Sequence, residues 1–442
     1  MADSAAPARP DEARAAAAAP RSAGRRPNQG RRLLCVYQHA PTPGAPGIYR
    51  HRRYFAELVR RGWVVDLVST PRNYMTGDVP PDYRRRPIRS EMIDGIDHHW
   101  VWTPGGIHRS RLARVANYAG FVTAAGLRAM ALPRPDVVVV SSPPLPVATL
   151  GPLLARRFAC PWLLEVRDVW PESAVSVGWL SSESPAYQLL ERLARATTSR
   201  AARVVIPTPG LEPFVRAHGA TQVATLPGAV VQRPEEPGRR QAVRARLGIG
   251  DEECVFLYLG AVGVANGLDV LVAAARELRA LTSIRIVVAG DGSARSALAA
   301  AVTAENLDRF TLLPAVSRPE ADDLLAAADV GLHLLRADPV FGSALPTKVL
   351  DYLGARLPFV TTVAGLPAEI ALASGGSAAS SASDLARELE WWARVDPDTR
   401  RARGEQALRY GLERFGLGPG ADRLEALLEA VVAERPEGLV AV

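Results

Sequence analysis

Residues 284–292 read Ile284-Arg285-Ile286-Val287-Val288-Ala289-Gly290-Asp291-Gly292, a short apolar run that stops at a glycine-rich turn. The run is rich in Val and Ile and has little polar alternation, which is typical of a strand buried on both faces of a parallel sheet. A helical stretch, Arg295–Ala304, follows the turn. Strand, turn and helix in this order predict a βα unit.

The same unit recurs along the chain in two series. The first series of predicted strands is Leu33–Tyr37, Val64–Ser69, Val137–Ser141, Trp162–Val166 and Val204–Pro207. The second series is Val255–Gly260, Ile284–Ala289, Thr311–Leu313, Val330–Leu335 and Pro358–Thr361. Predicted helices between them include Tyr54–Arg61, Leu268–Leu281 and Arg295–Ala304. The repetition predicts an α/β fold with two doubly wound domains.

A stretch rich in Pro, Gly, Glu and Arg separates the two series and has no apolar period, which is typical of a linker. Net charge changes at the same place, from +11 over residues 31–230 to −6 over residues 231–442. Two domains with different partners explain this division. The predicted parts are a disordered tail (1–30), a first domain (31–228), a linker (229–245), a second domain (246–415) and a C-terminal helix (416–442) that packs back toward the first domain.

The composition predicts a globular protein of the cytoplasm. Hydrophobic residues make up 48% of the chain, yet no apolar run reaches the roughly 18–20 residues that a membrane span needs. Cys35, Cys160 and Cys254 lie in or beside apolar segments without paired spacing, so we expect buried reduced thiols rather than disulfides or a zinc site. The alanine run at 15–19 is too short and too weakly apolar for a signal peptide.

The segment Ala344–Leu353 follows a predicted strand, at the end of a sheet where ligands of open α/β folds bind. Pro346 suits a first helical turn, which places Lys348 within that turn. A cation there is unfavourable for the helix dipole unless an anion binds beside it. Lys348 is also the only lysine among 53 basic residues, and a compact ammonium differs from a flat guanidinium at a tight phosphate site.

Asp351 lies three residues after Lys348 and therefore projects from nearly the same helix face. A base and an acid placed in this way predict a site for a diphosphate and a ribose hydroxyl. The alternative is a single tolerated lysine at a helix start.

Four stretches together resemble the GT-B glycosyltransferases of family 4, and most closely their bacterial branch of WbuB-type amino-sugar transferases. The stretches are Pro43–Arg50, Glu165–Ser173, Gly260–Gly263 with Asn266–Asp269, and Pro346–Tyr352. The second and fourth are the more specific, and the resemblance covers about residues 31–430.

The resemblance implies two facing Rossmann-like domains, the first for the acceptor and the second for a nucleotide-sugar donor. It implies transfer with retention of the anomeric configuration and without a metal ion or other cofactor, because positive side chains and a helix start neutralise the departing diphosphate. By matching position, Lys348 contacts the diphosphate, Asp351 the ribose, and backbone near Ala315–Val316 the base, while Gly44–Gly47 closes over the phosphates. The expected donor-binding residues are Gly44, Gly47, Gly263, Gly290, Val316, Thr347, Lys348 and Asp351.

Several positions depart from the family pattern. Ser343 and Asp351 stand where the broader family has two glutamates, and the shorter aspartate predicts a longer or water-mediated ribose contact. Val262 and Asn266 stand near the places of an Arg and a Lys, which leaves Lys348 with more of the phosphate charge.

Arg167, Asp168 and Glu172 are the catalytic candidates, since they end a predicted strand beside the cleft. Arg167 stands where the family often has a histidine near the reacting sugar. Structural ion pairing is the alternative for the two acids.

Two further motifs resemble metal sites, but the sequence favours other roles for both. Asp396-Pro397-Asp398 resembles a metal-binding DxD, but it precedes a predicted helix, where aspartate is a common cap. His98-His99 has neither i,i+4 spacing nor a convergent carboxylate, which favours a hairpin-like strand at the surface.

A basic, partly aromatic region lies in the first domain. It comprises Tyr83, Arg84, Arg85, Arg86, Arg89, His108, Arg109, Arg111, Arg114, Tyr118 and Phe121. Leu112, Val115, Ala119, Val122 and Leu127 are spaced for one face of a helix. The pattern favours either a core-facing helix with a solvated basic end or docking on an anionic membrane surface. No nucleic-acid-binding motif accompanies the charge, so nucleic acid is not an expected partner.

The predicted function is transfer of a hexosyl or N-acetylhexosaminyl group to a saccharide or lipid-linked acceptor, at the inner face of the membrane. Three alternatives remain open at this point: a soluble natural-product acceptor, a nucleotide-sugar epimerase, and an inactive binding subunit of the same fold. A dinucleotide-dependent dehydrogenase is not expected, because no strand is followed by a full G-x-G-x-x-G.

Overall fold

The computed structural model describes residues 30–434 apart from 46, 75, 85–86, 106–109, 177, 337–341 and 343–344. Residues 1–29 of the predicted tail lie outside the described residues, as do Pro46, Arg85, Arg86, His108, Arg109 and Ser343. The described chain forms two α/β units, each built on a largely parallel sheet. The two doubly wound domains predicted from the sequence are therefore confirmed.

The first unit contains, within the described residues, an eight-stranded sheet in the order β3-β4-β2-β1-β5-β6-β7-β8. Its strands are β1 (Arg32–Tyr37), β2 (Val64–Ser69), β3 (Ile88–Ile93), β4 (Ile96–Val101), β5 (Val137–Ser142), β6 (Trp162–Val166), β7 (Arg203–Ile206) and β8 (Val223–Thr225). The strands run parallel except β3, which pairs with β4 as an antiparallel hairpin at one edge. Helices cover both faces, so β1, β5 and β6 are buried along almost their whole length.

The helices of the first unit are α1 (Arg50–Arg60), α2 (Arg111–Met130), α3 (Leu150–Phe158), α4 (Glu172–Ser176), α5 (Pro185–Thr198) and α6 (Glu212–Ala217).

Cys35, Cys160 and Cys254 are buried thiols, as predicted. None of the described helices is both long and apolar enough to cross a bilayer.

The second unit contains a parallel sheet in the order β11-β10-β9-β12-β13-β14. Its strands are β9 (Cys254–Leu259), β10 (Ile284–Ala289), β11 (Phe310–Leu313), β12 (Val330–His333), β13 (Phe359–Thr361) and β14 (Ser377–Ala378). Its helices are α7 (Arg239–Arg246), α8 (Leu268–Glu277), α9 (Arg295–Ala304), α10 (Arg318–Ala327), α11 (Thr347–Gly354), α12 (Leu366–Ala373), α13 (Ala382–Arg394) and α14 (Pro397–Phe415).

The chain passes from the first unit to the second near Val230 and back near Phe415. The Val230 amide donates a hydrogen bond to the Phe415 carbonyl (2.7 Å), so the two crossing segments lie side by side. The last helix, α15 (Leu417–Ala433), then packs into the hydrophobic core of the first sheet. Gly420 permits close packing on α1, because a Cβ there would lie 2.4 Å from the Tyr54 hydroxyl.

The structure corrects the prediction for His98-His99. Both lie on β4, within the predicted hairpin, but they are buried and not at the surface. Helices α1 and α2 pack against β4 and cover its side chains, and His99 Nε2 reaches the carboxylate of Asp66 at 3.0 Å. The cap prediction for Asp396 is confirmed, since its carboxylate accepts a hydrogen bond from the Thr399 amide at 2.9 Å.

Candidate functional site

Two glycine-rich turns follow neighbouring strands at the carboxyl edge of the second sheet. The turn Gly260–Gly263 follows β9, and the turn Gly290–Gly292 follows β10. They touch through their backbones: the Val262 amide donates to the Asp291 carbonyl (2.8 Å). A Cβ on Gly290 would lie 1.8 Å from the Gly260 carbonyl oxygen, so only glycine fits there. Gly290 therefore serves the packing of the two turns, whatever else it contacts.

Lys348 lies beside these turns, in the first turn of α11 after its N-cap Pro346. Its ammonium is 3.6 Å from the centroid of the Tyr258 ring and close to the backbone of Gly260. The Nζ atom is buried and has no hydrogen-bond partner among the described residues. Burial lowers the pKa of Lys348 to about 7. The Tyr258 ring compensates only part of this buried charge, and a phosphate would supply the hydrogen-bonded anion that it lacks.

Asp351 follows on the same helix, but its carboxylate contacts other partners. It accepts hydrogen bonds from Arg233 (2.7 Å) and Arg318 (3.1 Å), and Arg53 of α1 lies at 3.8 Å. Burial would raise the pKa of Asp351, but Arg318 and Arg233 outweigh it and lower the pKa to about 2. The acid predicted to meet a ribose is thus the centre of an arginine cluster, which we call the Asp351 cluster.

The remaining predicted donor-binding residues line the same edge. Gly263 begins the turn that precedes α8, and its amide donates to the Asn266 side chain (3.0 Å). Val316 is half-buried just before Ser317, which caps α10. Thr347 is the half-buried first residue of α11. Since Asn266 is neutral and holds its own turn, it adds no charge beside Lys348.

Val262 is fully buried in the core of the second unit. It therefore cannot present a polar group to a ligand at this edge.

Among the described residues, no three His, Cys, Asp or Glu side chains come together as metal ligands would.

The carboxyl edge of the first sheet faces this site. Gly44, in the turn after β1, accepts a hydrogen bond from the Arg318 amide at 3.3 Å. Gly47 in the same turn packs on Pro41, where a Cβ would lie 2.9 Å away. The contact between Arg53 and Asp351 joins the same two units. The two sheet edges therefore form the walls of one cleft.

The three catalytic candidates lie after β6, on the first wall. Arg167 stacks over the Tyr37 ring (4.5 Å to the centroid) and its Nε donates to Ser141 Oγ at 3.1 Å. Asp168 instead accepts hydrogen bonds from its sequence neighbours Trp170 (3.1 Å) and Ser173. Burial raises the pKa of Asp168 despite these bonds.

Glu172, at the start of α4, pairs with His218 at 3.0 Å. Burial opposes ionisation of Glu172, but the hydrogen bonds from His218 and from the backbone, with the nearby positive charge, together outweigh it and lower the pKa. Asp168 and Glu172 are thus hydrogen-bonded to different residues, whereas Arg167 packs against Tyr37 and Ser141.

A buried polar cluster lies behind Arg167 and was not predicted from the sequence. Glu165 on β6 accepts hydrogen bonds from Ser141 Oγ (2.6 Å) and His51 Nε2 (2.5 Å), and it pairs with Arg50. Burial and the nearby Arg50 hold the pKa of His51 well below its usual value. The available signal was a carboxylate at the end of an otherwise apolar strand, since such a group needs buried partners.

Two family models match the chain. The Glycosyl transferase 4-like domain matches residues 44–229, and the Glycosyl transferases group 1 domain matches residues 253–393. The probable glycosyltransferase WbjE of Pseudomonas aeruginosa is 25% identical over 233 residues, which are 52% of this chain and 58% of WbjE. The D-inositol 3-phosphate glycosyltransferase of Segniliparus rotundus is 32% identical over 142 residues, 30% of each chain. The matches thus span less than two thirds of either relative.

Solved structures share the fold across both units. The sucrose-phosphate synthase of Thermosynechococcus elongatus superposes with a TM-score of 0.69 at 17% identity, over 91% of this chain and 99% of that one. HepE of Anabaena, solved with UDP-glucose, gives 0.66 at 16% identity, over 90% and 99%. WaaG, a glycosyltransferase of lipopolysaccharide biosynthesis, gives 0.62 at 17% identity, over 90% and 99%. The fold is therefore GT-B, as predicted.

Proposed function

We propose that this chain transfers a sugar from a nucleotide-sugar donor to an acceptor bound in the cleft. The proposal follows from its two matching domains, a glycosyl transferase 4-like domain and a glycosyl transferases group 1 domain, which are joined in the GT-B fold. The observation that carries the proposal is the buried ammonium of Lys348 at the start of α11, which has no hydrogen-bond partner among the described residues. HepE, which shares the fold, was solved with UDP-glucose and with UDP and glucose. A diphosphate in the cleft would pair with Lys348 and with the free N–H groups of the helix start.

The donor diphosphate is neutralised by Lys348 and α11 rather than by a divalent ion. Oriented donors that are already in place stabilise the departing diphosphate without further reorganisation. Val262 and Asn266 add no charge, so Lys348 has the larger share of this task. The turn Gly44–Gly47 closes over the phosphates, and Asp351 meets the ribose from within its arginine cluster. Transfer retains the anomeric configuration, and the donor is a hexosyl or N-acetylhexosaminyl nucleotide, as in the WbuB-type branch.

The acceptor is a saccharide, in the favoured case lipid-linked, presented at the inner face of the cell membrane. The support comes from α2, where most of the apolar stripe is exposed: Leu112 is 79% and Val115 62% exposed, although Val122 packs against the core. Trp179 is also exposed, and the Arg114 guanidinium lies over its ring at 4.9 Å. Apolar and cationic side chains together on one surface suit the headgroup region of an anionic bilayer.

Binding and turnover of Lys348→Ala test the proposal. UDP and UDP-glucose are titrated calorimetrically first, and sugar release is then followed with a panel of nucleotide-sugars. We expect the variant to bind UDP at least about tenfold more weakly, the loss of one charge-assisted contact. Arg409→Ala, an exposed cation on α14, is the matched control and should bind UDP normally. A folded Lys348→Ala protein with unchanged UDP affinity would exclude the assigned role.

The same assay separates the alternatives. Turnover in excess EDTA is expected, and its abolition with recovery on magnesium or manganese would contradict the metal-independent mechanism. A transferase requires an acceptor, whereas an epimerase converts the donor without one. Donor binding with no turnover for any acceptor would identify a binding subunit.

A further inference from the structure

Arg167 is a half-buried cation that, among the described residues, has no ion-pair partner. Its Nε is bound by Ser141 Oγ at 3.1 Å, and one Nη approaches the Pro143 carbonyl at 3.4 Å. The other Nη makes no hydrogen bond of normal geometry to the described residues, although it lies near the Tyr37 hydroxyl. Buried and half-buried guanidinium groups usually carry a carboxylate partner. Arg167 instead has one side of its guanidinium fork available for a ligand.

The guanidinium is held from behind by a chain of hydrogen bonds. The Ser141 hydroxyl donates its single proton to Glu165 (2.6 Å), which turns the hydroxyl lone pairs toward Arg167. Glu165 is itself fixed by His51 and Arg50 of α1. Arg167 is thereby oriented by two residues that do not themselves line the free side of the fork.

Polar groups without partners surround the same place. His39, after β1, has a buried Nδ1 without a hydrogen-bond partner among the described residues. The Tyr37 hydroxyl, on a side chain 0% exposed, lies beside Arg167 but makes no hydrogen bond of normal geometry. Buried polar groups of native proteins almost always find a partner. A bound ligand with oxygen atoms would supply one.

We propose that Arg167 recognises an anionic group of the acceptor, a phosphate or diphosphate ester, and that Ser141 and Glu165 are the positioning residues that orient it. This inference rests on the proposed transferase function and names the chemistry of its acceptor. A planar fork of N–H donors matches phosphate oxygens in pairs. The cation for the donor, Lys348, comes from the opposite wall of the cleft, so each substrate meets its own positive group.

The test uses geranyl diphosphate as the probe, titrated into protein already saturated with UDP. The wild type should bind it, and Arg167→Gln should weaken this binding by about tenfold or more, the range for a lost hydrogen bond to a charged group. UDP affinity should stay unchanged. Arg134→Gln is the matched control, because Arg134 is exposed at the opposite end of β5 in the same sheet.

The positioning role needs its own variants. Ser141→Ala should raise the KM for a diphosphate-linked acceptor and leave the KM for the donor unchanged, because only the orientation of Arg167 is lost. Ser141→Thr keeps the hydroxyl and should restore the acceptor KM, which a purely structural role would not predict. Thermal unfolding of each variant identifies a folding defect.

Several results would overturn the inference while leaving the transferase proposal intact. The wild type could bind UDP but not geranyl diphosphate, or Arg167→Gln could bind the probe as tightly as the wild type does. UDP could displace the probe when it is added to the protein–probe complex, or inorganic phosphate could bind as tightly as geranyl diphosphate. Failure of the wild type to bind any nucleotide-sugar would instead contradict the proposed function itself.

Discussion

The Lys348 ammonium lies 3.6 Å from the centroid of the Tyr258 ring, at the point where β9 ends and α11 begins. The ring face compensates part of the buried charge, but burial still lowers the pKa of Lys348 to about 7. His333 at the end of β12 is no competing cation, because burial and the nearby Lys348 lower its pKa to about 3. The charge of the proposed donor site should therefore depend on pH within the physiological range.

Donor affinity should fall as the pH rises above about 7. A nucleotide-sugar diphosphate keeps a constant charge in this range and favours the protonated amine, so binding takes up a proton wherever free Lys348 is neutral. Well above pH 7 the affinity should fall by up to about tenfold per pH unit. Calorimetry of UDP-glucose binding between pH 6 and 9, in buffers of different ionisation enthalpy, measures both the affinity and the proton uptake.

Lys348→Arg is the control, because a guanidinium stays charged throughout and should remove the pH dependence. The stability of the donor-free protein should change in the opposite direction. The pKa of Lys348 is depressed in the folded state, so between pH 7 and about 10.5 the unfolded chain binds more protons and stability rises with pH. Equal pH profiles for Lys348→Arg and wild type would rule out Lys348 as the titrating group.

Asp351→Asn should destabilise the protein, since it leaves Arg233 and Arg318 facing a neutral amide. Loss of hydrogen bonds to a charged group is expected to cost about 1.5–3 kcal/mol in the free energy of unfolding. The pKa of Asp351 is depressed to about 2, so its contribution is complete above the unfolded value near 3.8 and is lost as the pH falls toward 2. Urea unfolding of both proteins between pH 3 and 7 checks this, and the difference should narrow at the acid end.

A ribose contact of Asp351 can be separated from this structural role. Removal of the ribose 2′- or 3′-hydroxyl from the nucleotide should weaken binding to the wild type. The same removal should have little effect on Asp351→Asn, because the partner is already missing. Equal losses for both proteins would confine Asp351 to its arginine cluster.

Gly290→Ala should lower stability and not only donor binding. A Cβ at this position would lie 1.8 Å from the Gly260 carbonyl oxygen, and such overpacking typically costs about 1–3 kcal/mol. Gly418→Ala is the matched control: no atom lies within 4 Å of a Cβ there, and alanine favours the helix by about 0.5–1 kcal/mol. Equal unfolding midpoints for Gly290→Ala and wild type would contradict the packing of the two turns.

The sequence predicted the parts of the fold that local patterns encode. β6 (Trp162–Val166) and β10 (Ile284–Ala289) have the predicted bounds because buried parallel strands are continuous apolar runs. β3 (Ile88–Ile93) was missed, since it is an edge strand with alternating exposure and three polar side chains among its six residues. Its partner β4 was expected at the surface because His98-His99 has neither metal-ligand spacing nor a convergent carboxylate. Helices α1 and α2 instead pack against β4, and both histidines are buried.

The site depends on contacts that no local pattern encodes. Lys348 was predicted from its position at a helix start and from its being the only lysine of the chain, and neither signal requires knowledge of tertiary contacts. Glu165 meets Ser141 and His51 across 24 and 114 residues of sequence, and the arginines around Asp351 come from three separate segments. The apolar period of α2 was visible, but which way its stripe faces depends on tertiary packing: Phe121 is buried, whereas Leu112 on the predicted stripe is exposed.

The exposed stripe of α2 predicts salt-sensitive docking on anionic membranes through the first domain. Leu112 and Val115 are available to enter the headgroup region, and Arg111 and Arg114 of the same helix add attraction of about 1 kcal/mol each. Wild-type protein should sediment with vesicles containing anionic lipid more than with neutral vesicles. Binding should fall with salt, because exposed charges are screened over about 8–10 Å at physiological ionic strength. Leu112→Glu with Val115→Glu, or Arg111→Glu with Arg114→Glu, should reduce it severalfold.

Leu372→Glu distinguishes specific docking from a general effect of added charge. Leu372 is 63% exposed on α12 of the second unit, which matches the 62% of Val115, so its replacement adds the same charge to a similarly exposed site on the other domain. Vesicle binding should be unchanged, because the proposed membrane contact lies on α2. The comparison is with the single variant Val115→Glu: if Leu372→Glu reduces binding as much as that variant, the attraction follows net charge and not this surface. Equal, negligible binding of the wild type to both vesicle types would favour a soluble acceptor, with the arginines of the first domain serving solubility.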